Sequence, residues 1–435
     1  TTGVDNTIIG GLAGDAITDA DFNTAVGTRA LTANQLGSYS TAIGNDTLAT
    51  QNPTTATNMF NVAVGSGAGN AVTTGILNTL VGGSSGDAIT TGGYNTAVGM
   101  NALTAEVAGS FNVAIGNSTL ANQSNSTATS VYNTAVGYDA GNAITTGALN
   151  TAVGALALDA DTLGSRSTAI GYTALSNQNF TTATETYNTA VGFQAGVAVT
   201  TGRLNTLIGS EAGDALTDAD KNTTVGYTAL SSDTLGSQST AVGYQALFTQ
   251  NLTTATNTNN TAVGYNAGSG LTTGTANTFV GASSGGGAMT GGANTTVGVE
   301  SLFSCTSGEA NAIMGYQAAR ALTVGSYNVA IGREALETDD VGSRCVAIGY
   351  RSLRSQNSAG ATANNMYNTA VGYEAGTTNI TGFFNTFIGA EAGDGTDDGQ
   401  ENVAVGYQAL SGNCGDGNVA VGVSALEVCT GTDNT

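Results

Sequence analysis

Residues 133–154 read NTAVGYDAGNAITTGALNTAVG, so the motif Asn133-Thr-Ala-Val-Gly137 returns 17 residues later as Asn150-Thr-Ala-Val-Gly154. The motif occurs 24 times in the 435 residues. Its terminal glycines are 17 residues apart in seventeen of the 23 intervals, 21 in four, 23 in one and 16 in the last. No interval is long enough for a separate domain, so the period indicates one stacked supersecondary unit. We number positions in each repeat from this anchor glycine.

A short strand is predicted at the three residues before each anchor glycine. Position −1 is Val or Ile in every copy except Met314, as at Val136, Val153 and Ile170, and this column is predicted to point into an apolar interior. Position −2 is Ala in sixteen copies. Because consecutive strand residues face opposite sides, both faces are apolar or small. Such a strand needs a second covering layer.

The residues after the anchor glycine predict a solvent-exposed column, followed by a column with space for small side chains only. Position +2 is polar or charged in most copies, as at Glu334 and Gln408, and is predicted to face water. Position +3 is Ala, Ser or Thr in every copy, which predicts the inside of a second short strand.

Glycine and asparagine columns predict the corners and an internal ladder. Gly stands at −7 in seventeen copies, as at Gly147, and a recurring Gly between extended segments predicts a corner with positive φ. Asn fills −4 in twenty copies, including Asn133 and Asn150. Stacked coils would align these side chains into an amide ladder.

These columns together predict an all-β fold, a parallel β-solenoid of about 24 coils with a 17-residue period, forming a single continuous domain over residues 1–435. A slower rhythm alternates Gly and Leu in pairs at position +4, and longer coils follow the second Leu. Their inserts resemble one another, as in Gln178-Asn-Phe-Thr-Thr-Ala-Thr184 and Gln250-Asn-Leu-Thr-Thr-Ala-Thr256. The inserts are expected to form bumps on one edge, a common binding location in repeat proteins.

Composition excludes several classes of function. One lysine and eight arginines against 31 acidic residues give a net charge of −22, which disfavours nucleic acid and anionic membrane surfaces as partners. The chain has no histidine, which removes imidazole bases and histidine metal ligands. The sequence contains no run of about 18 apolar residues, so no membrane span is predicted. We expect no catalytic residue, no metal and no cofactor.

The motif itself resembles a known family. Asn112-Val-Ala-Ile-Gly116 and Asn328-Val-Ala-Ile-Gly332 resemble the Asn-Ser-Val-Ala-Ile-Gly motif in the heads of YadA-type trimeric autotransporter adhesins. The longer pattern from Tyr132 to Gly147 is similar to repeats of phage and algal-virus fibre proteins. The resemblance covers essentially the whole chain and implies a left-handed β-roll assembled as a homotrimer. The 17-residue coil is longer than that of the adhesin heads.

Tyrosines recur at +1, among them Tyr227, Tyr244 and Tyr265. Two interpretations stay open for this column. Exposed rings would stack on the sugars of a host glycan, whereas rings that follow the structural period would stack on one another. The second is favoured because the column keeps the period of the coil.

Two further groups of residues suggest chemistry. Cys414 and Cys429 lie one coil apart at nearly the same register, and coil spacing suits the Cα separation of a disulfide, so this pair is predicted to bridge. Acidic clusters such as Asp214, Asp218 and Asp220 lack the ligand spacing of calcium loops. Solvated turn carboxylates are the favoured interpretation.

The predicted function is a non-enzymatic, extracellular fibre or adhesin shaft, on a virion or a cell-surface appendage, with a host receptor or glycan as candidate partner. Because bare solenoid ends invite association, the chain is expected to be an excerpt of a longer shaft or a subunit that stacks end to end into a filament. An ice-binding solenoid is a further alternative, since Thr is frequent at −3. Two-residue alternation, however, places −3 on the same face as −1, which is predicted to be interior.

Overall fold

A computed structural model describes residues 2–358, 364–429 and 431–435, and the chain divides into two compact units, Thr1–Asp220 and Lys221–Thr435. Each unit consists of β-solenoid coils joined by turns, and no helix occurs in the described residues. This confirms the predicted all-β parallel β-solenoid with about 24 coils and a period near 17 residues. The single domain over 1–435 stays a prediction.

Each coil contributes one three-residue strand at positions −3 to −1, which we call the motif strand. In the first unit the motif strands are Thr7–Ile9, Thr24–Val26, Thr41–Ile43, Val62–Val64, Thr79–Val81, Thr96–Val98, Val113–Ile115, Thr134–Val136, Thr151–Val153, Thr168–Ile170, Thr189–Val191 and Thr206–Ile208. In the second unit they are Thr223–Val225, Thr240–Val242, Thr261–Val263, Thr278–Val280, Thr295–Val297, Ala312–Met314, Val329–Ile331, Val346–Ile348, Thr369–Val371, Thr386–Ile388, Val403–Val405 and Val419–Val421. Within each unit they pair in parallel and in register, as Ala135 does with Ala152.

A second strand was predicted in every coil, and this prediction is wrong. In the described residues, further strands are two residues long and form five parallel pairs beside the inserts. These pairs are Gly37–Ser38 with Thr57–Asn58, Gly109–Ser110 with Thr129–Ser130, Gly164–Ser165 with Thr184–Glu185, Gly236–Ser237 with Thr256–Asn257, and Gly342–Ser343 with Asn364–Asn365. Position +3 lies in a turn, where its small side chain is mostly buried.

The core of each coil is built on position −2. The alanines at this position, such as Ala152, are buried, and Leu80 and Phe279 are fully buried where they replace Ala. A larger residue at −2 fills the space left by Gly at +4. A Cβ at Gly69 or Gly86 would lie 2.7 or 2.8 Å from a Leu80 methyl carbon. The Gly and Leu rhythm at +4 is therefore a packing rule that keeps the interior filled.

The opposite face of the motif strand is the outer one, so the predicted orientation of position −1 is wrong. Val136 and Val153 are half-buried, and Ile170 is 38% exposed. Alternation puts positions −1 and −2 on opposite faces of the strand. Position −2 faces the interior, where its small Ala side chain leaves room for Leu at +4. In a single chain the branched column therefore faces outward.

Two kinds of glycine shape each coil, for different reasons. Gly154 has φ of +136°, and a Cβ there would lie 2.3 Å from the carbonyl oxygen of Gly171 in the next coil. Gly147, at −7, was predicted to have positive φ but does not, and a Cβ on it would lie 2.2 Å from the Gly164 carbonyl oxygen. The −7 glycine therefore permits close approach of coils. Left-handed corners occur instead at −5, +2 and +4, as at Leu149, Asp139 and Leu158.

Candidate interaction surface

Positions −3 and −1 of the motif strands form an exposed sheet face in each unit, which we call the outer face. No residue in either column is buried in any of the described motif strands. Position −3 is Thr in seventeen copies, Val in six and Ala312 in one, so the outer face combines a hydroxyl-bearing column with a branched apolar one. Contiguous apolar surface that is open to solvent is typical of interaction sites.

The Tyr column at +1 borders one side of the motif strands. Ring centroids are 5.7 Å apart between Tyr227 and Tyr244 and 5.2 Å apart between Tyr244 and Tyr265, with interplanar angles of 25° and 11°. All three rings are exposed. Both faces of Tyr244 are covered by its neighbours, so a sugar would contact ring edges here rather than stack on a free face.

A second aromatic column, at position −5, was overlooked in the sequence. Phe22 and Tyr39 stack at 4.8 Å, Tyr39 and Phe60 at 5.2 Å, and all three rings are exposed. Their backbone lies in the left-handed region, with φ near +60°. Position −5 is Phe or Tyr in ten of the 24 copies, a frequency that would have identified the column.

Charged side chains at +1 and +2 form ion pairs within a coil and between neighbouring coils. Arg351 Nε donates to Glu334 at 2.7 Å, and Arg333 Nε donates to the same carboxylate at 2.9 Å. These hydrogen bonds lower the pKa of Glu334, the one from Arg351 most. Glu334 was predicted to face water, but its residue is only 5% exposed because the guanidinium groups cover it.

The predicted amide ladder at −4 connects each coil to the next. Asn133 Oδ1 accepts from the Asn150 backbone N–H at 2.8 Å, and Asn150 Nδ2 donates to the Gly164 carbonyl at 2.9 Å. Asn150 Oδ1 in turn accepts from the Ser167 N–H at 2.8 Å. The side chains are buried, so each amide satisfies two backbone groups that water cannot reach.

Ser or Cys replaces Asn at −4 in four coils that carry an insert, and the first glutamine of the insert explains why. Gln178 Nε2 donates to Ser167 Oγ at 2.9 Å, and Gln178 Oε1 accepts from Asn188 Nδ2 at 2.8 Å. The buried glutamine thus occupies the space of a longer −4 side chain and continues the ladder. Gln250 makes the corresponding contacts with Ser239 and Asn260.

Buried carboxylates fix the inserts to the preceding coil. Asp161 Oδ2 accepts from Gln178 Nε2 at 2.6 Å, while Oδ1 accepts from the Gly164 and Phe180 N–H groups. Asp339 has the same environment with Gln356. Desolvation by burial raises the pKa of both carboxyl groups, because the charged form loses hydration that the hydrogen bonds only partly replace.

The predicted disulfide pair consists of two free, buried thiols. Cys414 Sγ lies 3.4 Å from the Cys429 carbonyl oxygen, and burial raises the pKa of Cys414 to about 12. The bridge stays a prediction. Within the described residues no group of three His, Cys, Asp or Glu side chains is placed to hold a metal ion. None of the described residues forms a helix that meets the length and hydropathy of a membrane span.

The geometry defines the chain as a parallel β-solenoid tandem-repeat protein with a regular exposed sheet face. Comparison with protein-family models gave no match, and comparison with curated proteins gave none either. The outer face and the columns that border it are therefore the features from which we infer a function.

Proposed function

We propose that this protein is a non-enzymatic extracellular shaft, of the fibre or adhesin kind, in which several copies associate through the outer face. The observation that carries the proposal is the −1 column, which presents Val, Ile or Met in every coil and is half-buried or exposed throughout. Leaving one such side chain per coil in water forgoes roughly 1 kcal/mol or more of burial energy. Association removes this cost, and the covering layer expected from the sequence is then a neighbouring copy.

Three copies and a left-handed coil are part of the proposal because the motif resembles the trimeric adhesin heads and viral fibre repeats. The parallel, in-register coils favour a stiff spacer, since each coil hydrogen-bonds to its neighbours along its whole circumference. A host receptor or glycan bound by the shaft, or by a part attached to it, is consistent with this role.

The test compares two lysine pairs in the same two coils. Val64→Lys with Val136→Lys places two charges on the outer face. Thr74→Lys with Thr146→Lys places two charges at exposed positions away from it. Molar mass is measured by light scattering, and folding by circular dichroism.

We expect the unmodified protein and the threonine pair to have the mass of three chains. The valine pair is expected to be folded with the mass of one chain. A single-chain mass for the unmodified protein at micromolar concentration would overturn the proposal, and so would a valine pair that still forms the full assembly.

A second function, ice binding, is favoured by one specific observation. The −3 column presents Thr on parallel strands about 4.8 Å apart, and the structure leaves it exposed, contrary to the interior orientation predicted from the sequence. A thermal-hysteresis measurement separates the two functions. Hysteresis that disappears in the Val64→Lys and Val136→Lys variant would favour ice binding, and its absence in the unmodified protein removes this alternative.

A further inference from the structure

The columns at −5 and +1 lie at the two ends of each motif strand and complement each other in size. In the first unit, all three leucines at −5 share their coil with a small residue at +1. The pairs are Leu77 with Gly83, Leu149 with Ala155 and Leu204 with Ser210. Of the seven aromatic residues at −5 in that unit, five share their coil with a non-aromatic residue at +1, and the exceptions are Tyr132 and Tyr187.

The complementarity extends to charge. Four cations occupy these two columns, and each shares its coil with a tyrosine in the other column. The pairs are Arg166 with Tyr172, Lys221 with Tyr227, Arg344 with Tyr350, and Tyr327 with Arg333. A cation opposite a tyrosine ring is a favourable pairing, worth about 0.5–2 kcal/mol.

Contacts within one chain do not explain this matching. Positions −5 and +1 are six residues apart with the motif strand between them, a span of up to about 20 Å. The rings and cations contact their own column instead. Arg344 lies 5.6 Å from the ring centroids of both Tyr327 and Tyr367, which are all at −5. Arg333 lies 5.5 Å from the ring of Tyr316, and both are at +1.

We infer that the −5 edge of one copy packs against the +1 edge of a second copy at the same coil level, with the two chains parallel and in register. This inference rests on the proposed assembly and specifies its geometry. Each copy then uses two different edges toward two neighbours, which is a heterologous contact that closes into a ring. A large side chain from one edge fills the space above a small one on the other, and each cation meets a tyrosine.

Paired cysteines test the register. Leu77→Cys and Gly83→Cys lie in the same coil on opposite edges, and both sites accept a side chain. Leu77 is exposed, and a Cβ at Gly83 would be 4.0 Å from its nearest contact, the Met100 side chain. The displaced control combines Leu77→Cys with Asn117→Cys, which is two coils or about 10 Å further along. A disulfide requires Cα atoms about 4.4–6.8 Å apart.

The full-length variants are oxidised and separated by denaturing electrophoresis without reductant. We expect covalent three-chain species as the main product of the in-register pair, and single chains from each single variant, the displaced pair and the unmodified protein. Mass measured before oxidation separates the two proposals. If the protein is multi-chain but forms the disulfide through the displaced pair, or through neither pair, the proposed in-register packing is wrong while the proposed assembly through the outer face is retained. A single-chain protein overturns both.

Discussion

The close approach of successive anchor glycines gives the sharpest stability prediction. In Gly154→Ala the new methyl group would lie 2.3 Å from the Gly171 carbonyl oxygen, about 1.1 Å inside the ordinary limit of 3.4 Å. The backbone at φ of +136° adds strain of about 1–3 kcal/mol. Overpacking against backbone atoms, which cannot rotate away, adds about 1–3 kcal/mol. The expected loss is about 2–6 kcal/mol.

Gly67→Ala is the matched control. Gly67 also has positive φ, at +72°, but the nearest atom to a Cβ there is Ser84 Oγ at 3.6 Å. Only the left-handed cost of about 1–2 kcal/mol applies. The assay is hydrogen exchange read by mass spectrometry for peptides covering residues 137–171 or 65–84, because a long repeat array does not unfold in two states.

The exchange rate of the protected amides is expected to rise by about 30-fold or more around Gly154, at tenfold per 1.4 kcal/mol, and by about tenfold around Gly67. Equal effects of the two substitutions would refute the reasoning, because the close coil contact would then contribute nothing beyond the backbone conformation.

Three further predictions concern buried groups. Asn150→Leu leaves the Ser167 N–H and the Gly164 carbonyl without partners and is expected to cost about 2–6 kcal/mol, measured by local hydrogen exchange. Leu158→Ala empties a fully buried site and is expected to lower local stability by about 2–5 kcal/mol, read from hydrogen exchange of the surrounding amides, against almost nothing for exposed Val428→Ala. Since the folded state raises the pKa of Asp161, the stability this group contributes is present at acidic pH and lost as pH rises through that pKa. The denaturation midpoint of Asp161→Asn relative to the unmodified protein is therefore expected to increase from pH 4 to pH 8, and a constant difference would contradict the sign.

The period and the position of the motif strand could be predicted from the sequence, but the face that each column occupies could not. Val153 and Ala152 are both apolar, and alternation only places them on opposite sides. Hydrophobicity favours the larger residue for the interior. The structure selects Ala because the left-handed corners at +2 and +4 bring Leu158 back across position −2. That geometry depends on conformations that leucine rarely adopts.

The coupling of the inserts to the ladder was also hidden in the sequence. Ser167 appears there as an exception to the Asn column, and Gln178 as the first residue of a surface loop. They contact each other in the interior, eleven residues apart, and Asp161 of the preceding coil completes the group. Comparing residues at one position of the 17-residue period does not show these contacts, because they join different positions in successive coils and occur only where the longer repeat places an insert.

The distribution of charge supports the outer face as the place of association. Of the 31 acidic residues, only Asp5 and Glu401 stand at positions −5, −3, −1 or +1 of a repeat. The others lie on the turns and the remaining sides of the coil or are buried, so the charge of −22 is directed away from the face that presents Val and Thr. Repulsion between copies is therefore weaker where the outer faces meet than where the acidic turns approach each other. The acidic composition thus keeps separate assemblies apart in solution, while the outer face, which carries few acidic residues, allows chains to associate.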